Sequence, residues 1–281
     1  AAARDFRLAH TDLSTLPADQ RTAELERRRT VQAGTPLRMQ DAELFQAHLY
    51  RLDRHEWVLL WRCHHSITDG WSLDLLIREL GEVYTAFVQG QSPSLPEPPL
   101  EYADYAVWQR DQRDTPHMRQ QQAYWVEQLA GLPALLDLPT DRPRPAVQPT
   151  HGARLLWRIP PDLLPALRGL AQHHAATLYM TVLAAFATLL MRYTQHTDLA
   201  IGTPVAGRSH TALEPLVGFF VNMLVMRVQP TPQQSFSELL GQVRQTTLAA
   251  LVHADRPFSE LVEAIQPTRS LSHQPLFQVA F

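Results

Sequence analysis

The apolar repeat of this chain changes abruptly between residues 56 and 88. Through 56–63 (EWVLLWRC) the chain is apolar on both faces as far as Arg62, which suits a central strand. From Ser72 onward Leu73, Leu76, Ile77, Leu80, Tyr84, Phe87 and Val88 fall at helical spacing, and Gly90 follows as a stop. Ser72 is placed to serve as N-cap, with Asp74 complementing the helix dipole in the first turn. Residues 44–52 alternate, with Phe45, Ala47 and Leu49 opposite Gln46, His48 and Tyr50, and the polar turn 53–55 joins them to 56–63 as a β-hairpin. A hairpin that runs straight into an amphipathic helix points to mixed α and β; the expected class is α/β, with α+β as the alternative.

The second half repeats the mixture. Residues 154–159 form a short strand candidate, 161–174 and 177–192 read as helices, and 198–204 and 219–228 read as strands. Ser235 followed by Glu238 makes a capping box ahead of a helix reaching about Val252. The prolines of 139–149 sit in a charged stretch poor in apolar residues, so 139–150 is expected to link an N-terminal lobe, 1–138, to a C-terminal lobe, 151–281. The uncharged run 175–191 is 17 residues long, short of the roughly 20 needed to cross a bilayer, and reads as a core helix. With 45% apolar and 19% charged residues a packed core is expected. A formal net charge of −3 gives no general pull on nucleic acid or an anionic membrane, and neither is expected as a partner. All 25 basic residues are arginine, which excludes a Schiff-base or P-loop lysine within the chain. Cys63 is the only cysteine, so no disulfide framework and no cysteine-based zinc site is expected. A cytoplasmic location is the expectation.

Chemistry is concentrated where strand meets helix, in the segment Cys63-His64-His65-Ser66-Ile67-Thr68-Asp69-Gly70-Trp71-Ser72. Neighbours on an extended strand point to opposite faces, so one of His64 and His65 faces a given pocket, which argues against joint chelation of a metal. Asp69 follows His65 by four residues, with Gly70 permitting a sharp turn. An aspartate there can fix the loop by an ion pair or orient a histidine. His173, His174, His196 and His210 show no metal-ligand spacing, and no metal site is expected. Asn222, within an apolar strand, can line a channel or satisfy a backbone group.

The segment HHSITDGWS resembles the active-site motif of condensation domains of non-ribosomal peptide synthetases, a family in the chloramphenicol acetyltransferase superfamily. Residues 102–108 (YADYAVW), 217–223 (VGFFVNM), 253–258 (HADRPF) and 269–276 (RSLSHQPL) resemble the family's later motifs in the same order, although Met223 stands where Thr is common. The family's first two motifs have no counterpart here, nor has the tail of its second lobe, and the chain is expected to be truncated at both ends.

The resemblance implies two acetyltransferase-like lobes in a V-shaped pseudo-dimer, both incomplete, with the site between them. It implies amide formation between a carrier-bound acyl or peptidyl thioester and a carrier-bound aminoacyl group. The partners implied are upstream and downstream peptidyl carrier domains and an adjacent adenylation domain. No cofactor is bound directly, the substrates riding on phosphopantetheine arms. His65 is the implied catalytic residue, as base or as a holder of the amine, while His64, Asp69, Gly70 and Arg208 shape the loop, with Arg208 pairing with Asp69. Trp71, Ser72 and Asn222 are candidates for a channel or cleft. An L-configured donor is favoured over a D-configured one. An epimerisation domain, a free-standing acyltransferase and a carrier-docking module without turnover are the alternatives.

Overall fold

The hairpin forms at the residues whose alternation announces it. In the computed structural model, which describes residues 6–40 and 43–281, β2 (Phe45–Arg51) pairs antiparallel with β3 (Trp57–Cys63), in register from Phe45–Cys63 to Arg51–Trp57. A short strand, β1 (Ala9–Asp12), adds in parallel on the other side of β2. The sheet order β1-β2-β3 makes β3 an edge strand among the described residues, not the central one its apolar run suggests. Trp57 and Leu59, two apart on one face of the sheet, are exposed. The buried side of β2 carries Tyr50, which joins Leu13 and Leu52 in a small core.

Two helices complete this region. In α1 (Ala18–Gly34) no residue is buried. Partly buried Leu25 packs it on that core, and polar contacts add to the hold, Gln32 donating to the Tyr50 hydroxyl at 2.8 Å and Arg62 donating to the Thr35 carbonyl at 2.7 Å. The Arg62 contact sets a cation against a helix C-terminus, where the backbone dipole favours it. The second helix, α2 (Gly70–Val88), begins three residues earlier than an N-cap at Ser72 would place it: Asp69 is its N-cap, and the left-handed Gly90 follows its end. Its apolar positions Ile77, Leu80, Tyr84, Phe87 and Val88 are exposed.

The remaining helices and strands build a larger core. Helices α3 (Tyr102–Gln112) and α4 (Pro116–Gln128) precede α5 (Leu163–His173) and α6 (Leu178–Thr194). Strands β4 (Leu199–Val205) and β5 (Asn222–Val228) pair antiparallel, α7 (Phe236–Val252) and α8 (Phe258–Ile265) follow, and β6 (Val279–Ala280) pairs in parallel with β4. As the middle strand of β5-β4-β6, β4 is buried along Leu199, Ala200, Ile201, Gly202 and Thr203. Gly202 is required there, since an added Cβ would stand 2.4 Å from the Phe277 ring. The apolar run becomes α6, burying Met180, Leu183, Ala184, Ala187 and Leu190. Among the described residues no single helix is long and apolar enough to cross a membrane. The capping box at Ser235 forms as expected. The strand candidate 154–159 is not a strand; Leu155, Leu156 and Trp157 are 92%, 78% and 78% exposed.

The chain divides into two compact units, Ala1–Tyr102 with Ala212–Phe220, and Ala103–Thr211 with Val221–Phe281. The change of unit thus falls at Tyr102, and the Pro-rich residues 139–150 lie inside the second unit. The reason is the anchoring of α4: Trp125 is 1% exposed and donates to the His253 carbonyl at 2.7 Å, and Gln121 donates to the Val252 carbonyl at 3.0 Å. Residues 1–5, where the expected N-terminal lobe begins, lie outside the described residues.

Candidate active site

The strand ends at Cys63, so the two histidines do not share a regular pleat. His64 N donates to the Leu44 carbonyl at 2.8 Å, one step past the hairpin's last pair, and its backbone remains extended. His65 then opens a single 3-10 turn, His65–Ile67. The opposite-face argument for neighbouring strand residues is therefore replaced by a difference in hydrogen bonding. His64 Nδ1 accepts from Ser66 N at 3.1 Å, with the Ser66 hydroxyl 2.7 Å away, so its proton resides on Nε2. His65 Nδ1 lies 2.6 Å from the Thr68 carbonyl. A carbonyl only accepts, so His65 Nδ1 carries the proton and Nε2 keeps the basic lone pair. The pair thus holds opposite tautomers. His64 caps the turn, while His65, exposed, offers a base.

Asp69 is 3% exposed, and each of its carboxylate oxygens accepts a backbone N–H. One oxygen accepts from Ser72 N at 2.8 Å, capping α2, and the other accepts from Phe220 N at 3.0 Å. Gly70 opens α2 behind it. Ser72, expected as the cap, is fully buried and exchanges two bonds with Gly218: its hydroxyl donates to the Gly218 carbonyl at 2.9 Å and accepts from Gly218 N at 3.0 Å. The Trp71 indole donates to the Glu214 carbonyl at 2.9 Å while the residue remains 44% exposed.

Residues 212–220 therefore return to the first unit and pack against the histidine turn. Tyr102 closes this arrangement, its hydroxyl donating to the Phe219 carbonyl at 2.8 Å and its ring meeting Phe220 edge-on at 5.2 Å. An added Cβ at Gly218 would stand 2.1 Å from the Tyr102 ring, so the approach requires glycine. Burial, with the Asp69 charge second, pushes the Tyr102 phenol up and keeps it a donor. Phe219 packs edge-on against His65, ring centroids 5.1 Å apart and planes at 87°. Sequence reasoning named neither Tyr102 nor Gly218 nor Phe219 as part of the site. The available signal was a glycine followed by two phenylalanines, a small residue placed among large ones.

The other two candidates belong to the second unit. Asn222 opens β5 with its amide fully engaged: Nδ2 donates to the Ala254 and Arg256 carbonyls at 2.9 and 2.8 Å, and Oδ1 accepts from Met223 N and Phe258 N at 2.9 and 3.0 Å. Of its two candidate roles, these bonds are the satisfaction of backbone groups. Arg208 is half-buried on the loop after β4, next to the left-handed Gly207. Burial pushes the Cys63 thiol up, so no activated thiolate adjoins the histidines.

Comparison with known proteins sets this geometry in a family. The family model described as "Condensation domain" matches residues 1–281. A linear gramicidin synthase from Brevibacillus parabrevis is 45% identical over 277 residues, covering 99% of this chain and 5% of that protein. Among solved structures, the X-domain from teicoplanin biosynthesis aligns with a TM-score of 0.86 at 27% identity, covering all of this chain and 61% of that one. A four-domain non-ribosomal peptide synthetase bound to AMP and glycine aligns with a TM-score of 0.83 at 28% identity, covering 99% of this chain and 20% of that one. The chain spans less than two thirds of each. These matches bear out the mixed α/β, chloramphenicol acetyltransferase-like class expected from the sequence.

Proposed function

The chain belongs to the condensation-domain family, and from that premise we propose that it joins two carrier-bound substrates through an amide bond. The acceptor's amine attacks the thioester carbonyl of the acyl or peptidyl donor, a C–N bond forms, and the donor's thiol leaves. The observation that carries the proposal is the His65 tautomer. With Nδ1–H held by the Thr68 carbonyl, Nε2 is the nitrogen able to take a proton from the amine as it gains positive charge, or to hold the amine in line. An α-amine with pKa near ~8 is about a tenth neutral at pH 7, so no stronger base is needed to create the nucleophile. His64, whose Nδ1 is used within its own turn, serves the loop. The reading involves no covalent acyl-enzyme.

The gramicidin synthase relative and the four-domain synthetase support carrier domains on both sides and an adjacent adenylation domain as partners, with substrates on phosphopantetheine arms. The resemblance further supports an ion pair between Asp69 and Arg208 as part of the proposal. A double-mutant cycle on thermal stability should then show coupling above about 0.5 kcal/mol; additive losses would remove the pair.

The assay that tests the function incubates the full-length protein with one acyl-loaded and one aminoacyl-loaded carrier protein. Intact-protein mass spectrometry should find a dipeptidyl thioester on the acceptor carrier. A second reading has its own support: the X-domain from teicoplanin biosynthesis forms a complex with OxyB, so a member of this fold can act as a binding module. Unreacted carriers under conditions where they bind the protein would favour that reading.

A further inference from the structure

The loop that carries Phe219 is tied at three successive residues. Gly218 exchanges both backbone groups with the Ser72 hydroxyl, the Phe219 carbonyl takes the Tyr102 hydroxyl, and Phe220 N donates to the Asp69 carboxylate. Phe220 explains its own presence, since it is 4% exposed and packs on Tyr102. Phe219 differs. It keeps 37% of its surface exposed, so burial accounts for its presence less fully, and buried Asp69 and Ser72 both hold its flanks in place. What the ring meets is the imidazole of His65, edge-on at 5.1 Å.

His65 has need of such a neighbour. An exposed imidazole with one hydrogen bond, from Nδ1 to a turn carbonyl, can still rock about that bond and can exchange rotamers on a nanosecond scale. A ring standing perpendicular to it, on a backbone fixed by three side chains, removes that freedom. We propose that Phe219 is a positioning residue for the reaction, holding His65 in the rotamer that points Nδ1 at the Thr68 carbonyl and presents Nε2 to the acceptor amine. Ser72, Asp69 and Tyr102 act through it, which gives the first turn of α2 a part in placing the base. This inference rests on the reading of His65 as the working base.

The test compares Phe219→Ala and Phe219→Tyr with the native protein in the two-carrier assay. Phe219→Ala should lower kcat about ten- to a hundredfold, the scale of a misplaced catalytic group, with KM for either carrier substrate moving by less than about twofold. Phe219→Tyr keeps the ring and should restore the rate. Should Phe219→Ala melt early, Phe219→Leu, which keeps apolar volume, takes its place. A second readout is the imidazole nitrogen spectrum of His65, assigned by its loss in His65→Gln. The native protein should show Nδ1 protonated, and the ring-deleted variant an average of the two tautomers. The proposal stands only if the nitrogen pattern changes, kcat falls and Phe219→Tyr restores it; failure of any one overturns it. A native protein that forms no dipeptidyl thioester, or His65→Gln with full activity, would instead remove the functional reading. The nitrogen pattern would still decide whether Phe219 sets the imidazole.

Discussion

At the scale of single residues, adjacent histidines differ in the partners of their Nδ1 atoms, Ser66 for His64 and the Thr68 carbonyl for His65. Removing His65 deletes an exposed side chain, and His65→Ala should remain folded while condensation falls by roughly a hundredfold or more. His64→Ala keeps the backbone bond that closes the 3-10 turn but removes the side-chain acceptor that caps it, so it should lower the melting temperature before it lowers the rate. The reverse order, measured by melting curves and the two-carrier assay, would exchange the two assignments. Tyr102 gives a pH-dependent case. Its phenol is pushed up by burial and by Asp69, so the folded state favours the neutral form. Stability from this group is full below the unfolded phenol pKa near ~10 and is lost as pH rises through the higher folded value. This group's contribution to stability should therefore begin to fall only above about pH 10. Tyr102→Phe should be weaker by about 1 kcal/mol at neutral pH, having lost the bond to Phe219, and flatter in alkali. An alkaline slope unchanged in Tyr102→Phe would assign the titration to another group.

At the scale of elements, what could be read from the sequence depended on how each element is held. Helix α7 was legible because its start is written locally: Ser235 and Glu238 satisfy each other's backbone, and Ser235→Ala should cost about 1 kcal/mol in denaturant unfolding. No measurable change would mean the cap is idle. Helix α6 was legible from its apolar run. Helix α1 was not, because it buries no residue fully and rests on one partly buried leucine, Leu25, with polar contacts from Gln32 and Arg62, which leave no periodic trace. The start of α2 was misplaced by three residues because Ser72 and Asp69 are both good caps. Asp69 takes the helix, and Ser72 turns to Gly218, 146 positions along the chain. The edge position of β3 was hidden for a related reason, since apolar residues on both faces show what a strand could bury and not which neighbours it has. Of the site, His64, His65 and Asp69 were legible as a local pattern. Phe219 and Tyr102 were not, because their partnership exists only once distant segments meet.

Across the whole molecule the two units are unequally furnished. Among the described residues the second holds one continuous core running through Trp125, Leu183, Ile201, Val225 and Leu240, whereas the first buries smaller groups, Leu13, Tyr50 and Leu52 at the hairpin sheet and Leu75, Leu213, Leu216 and Phe220 elsewhere. Local opening follows the density of buried apolar contacts. Hydrogen exchange should therefore be slowest along α6, β4 and α7 and faster by orders of magnitude in the outer turns of α2, where Tyr84, Phe87 and Val88 are exposed. Equal protection in α2 and α6 would show that the apolar stripe of α2 is covered in solution. The return of residues 212–220 to the first unit carries a different consequence, for inheritance. The histidine turn and the aromatic residues that steady it are encoded more than a hundred codons apart, with much of the second unit written between them. A recombination event that exchanged the first 102 residues alone would set a foreign aspartate and serine against a resident Gly-Phe-Phe. Shuffling of such chains, by evolution or by an engineer, succeeds only when both stretches travel together or already match.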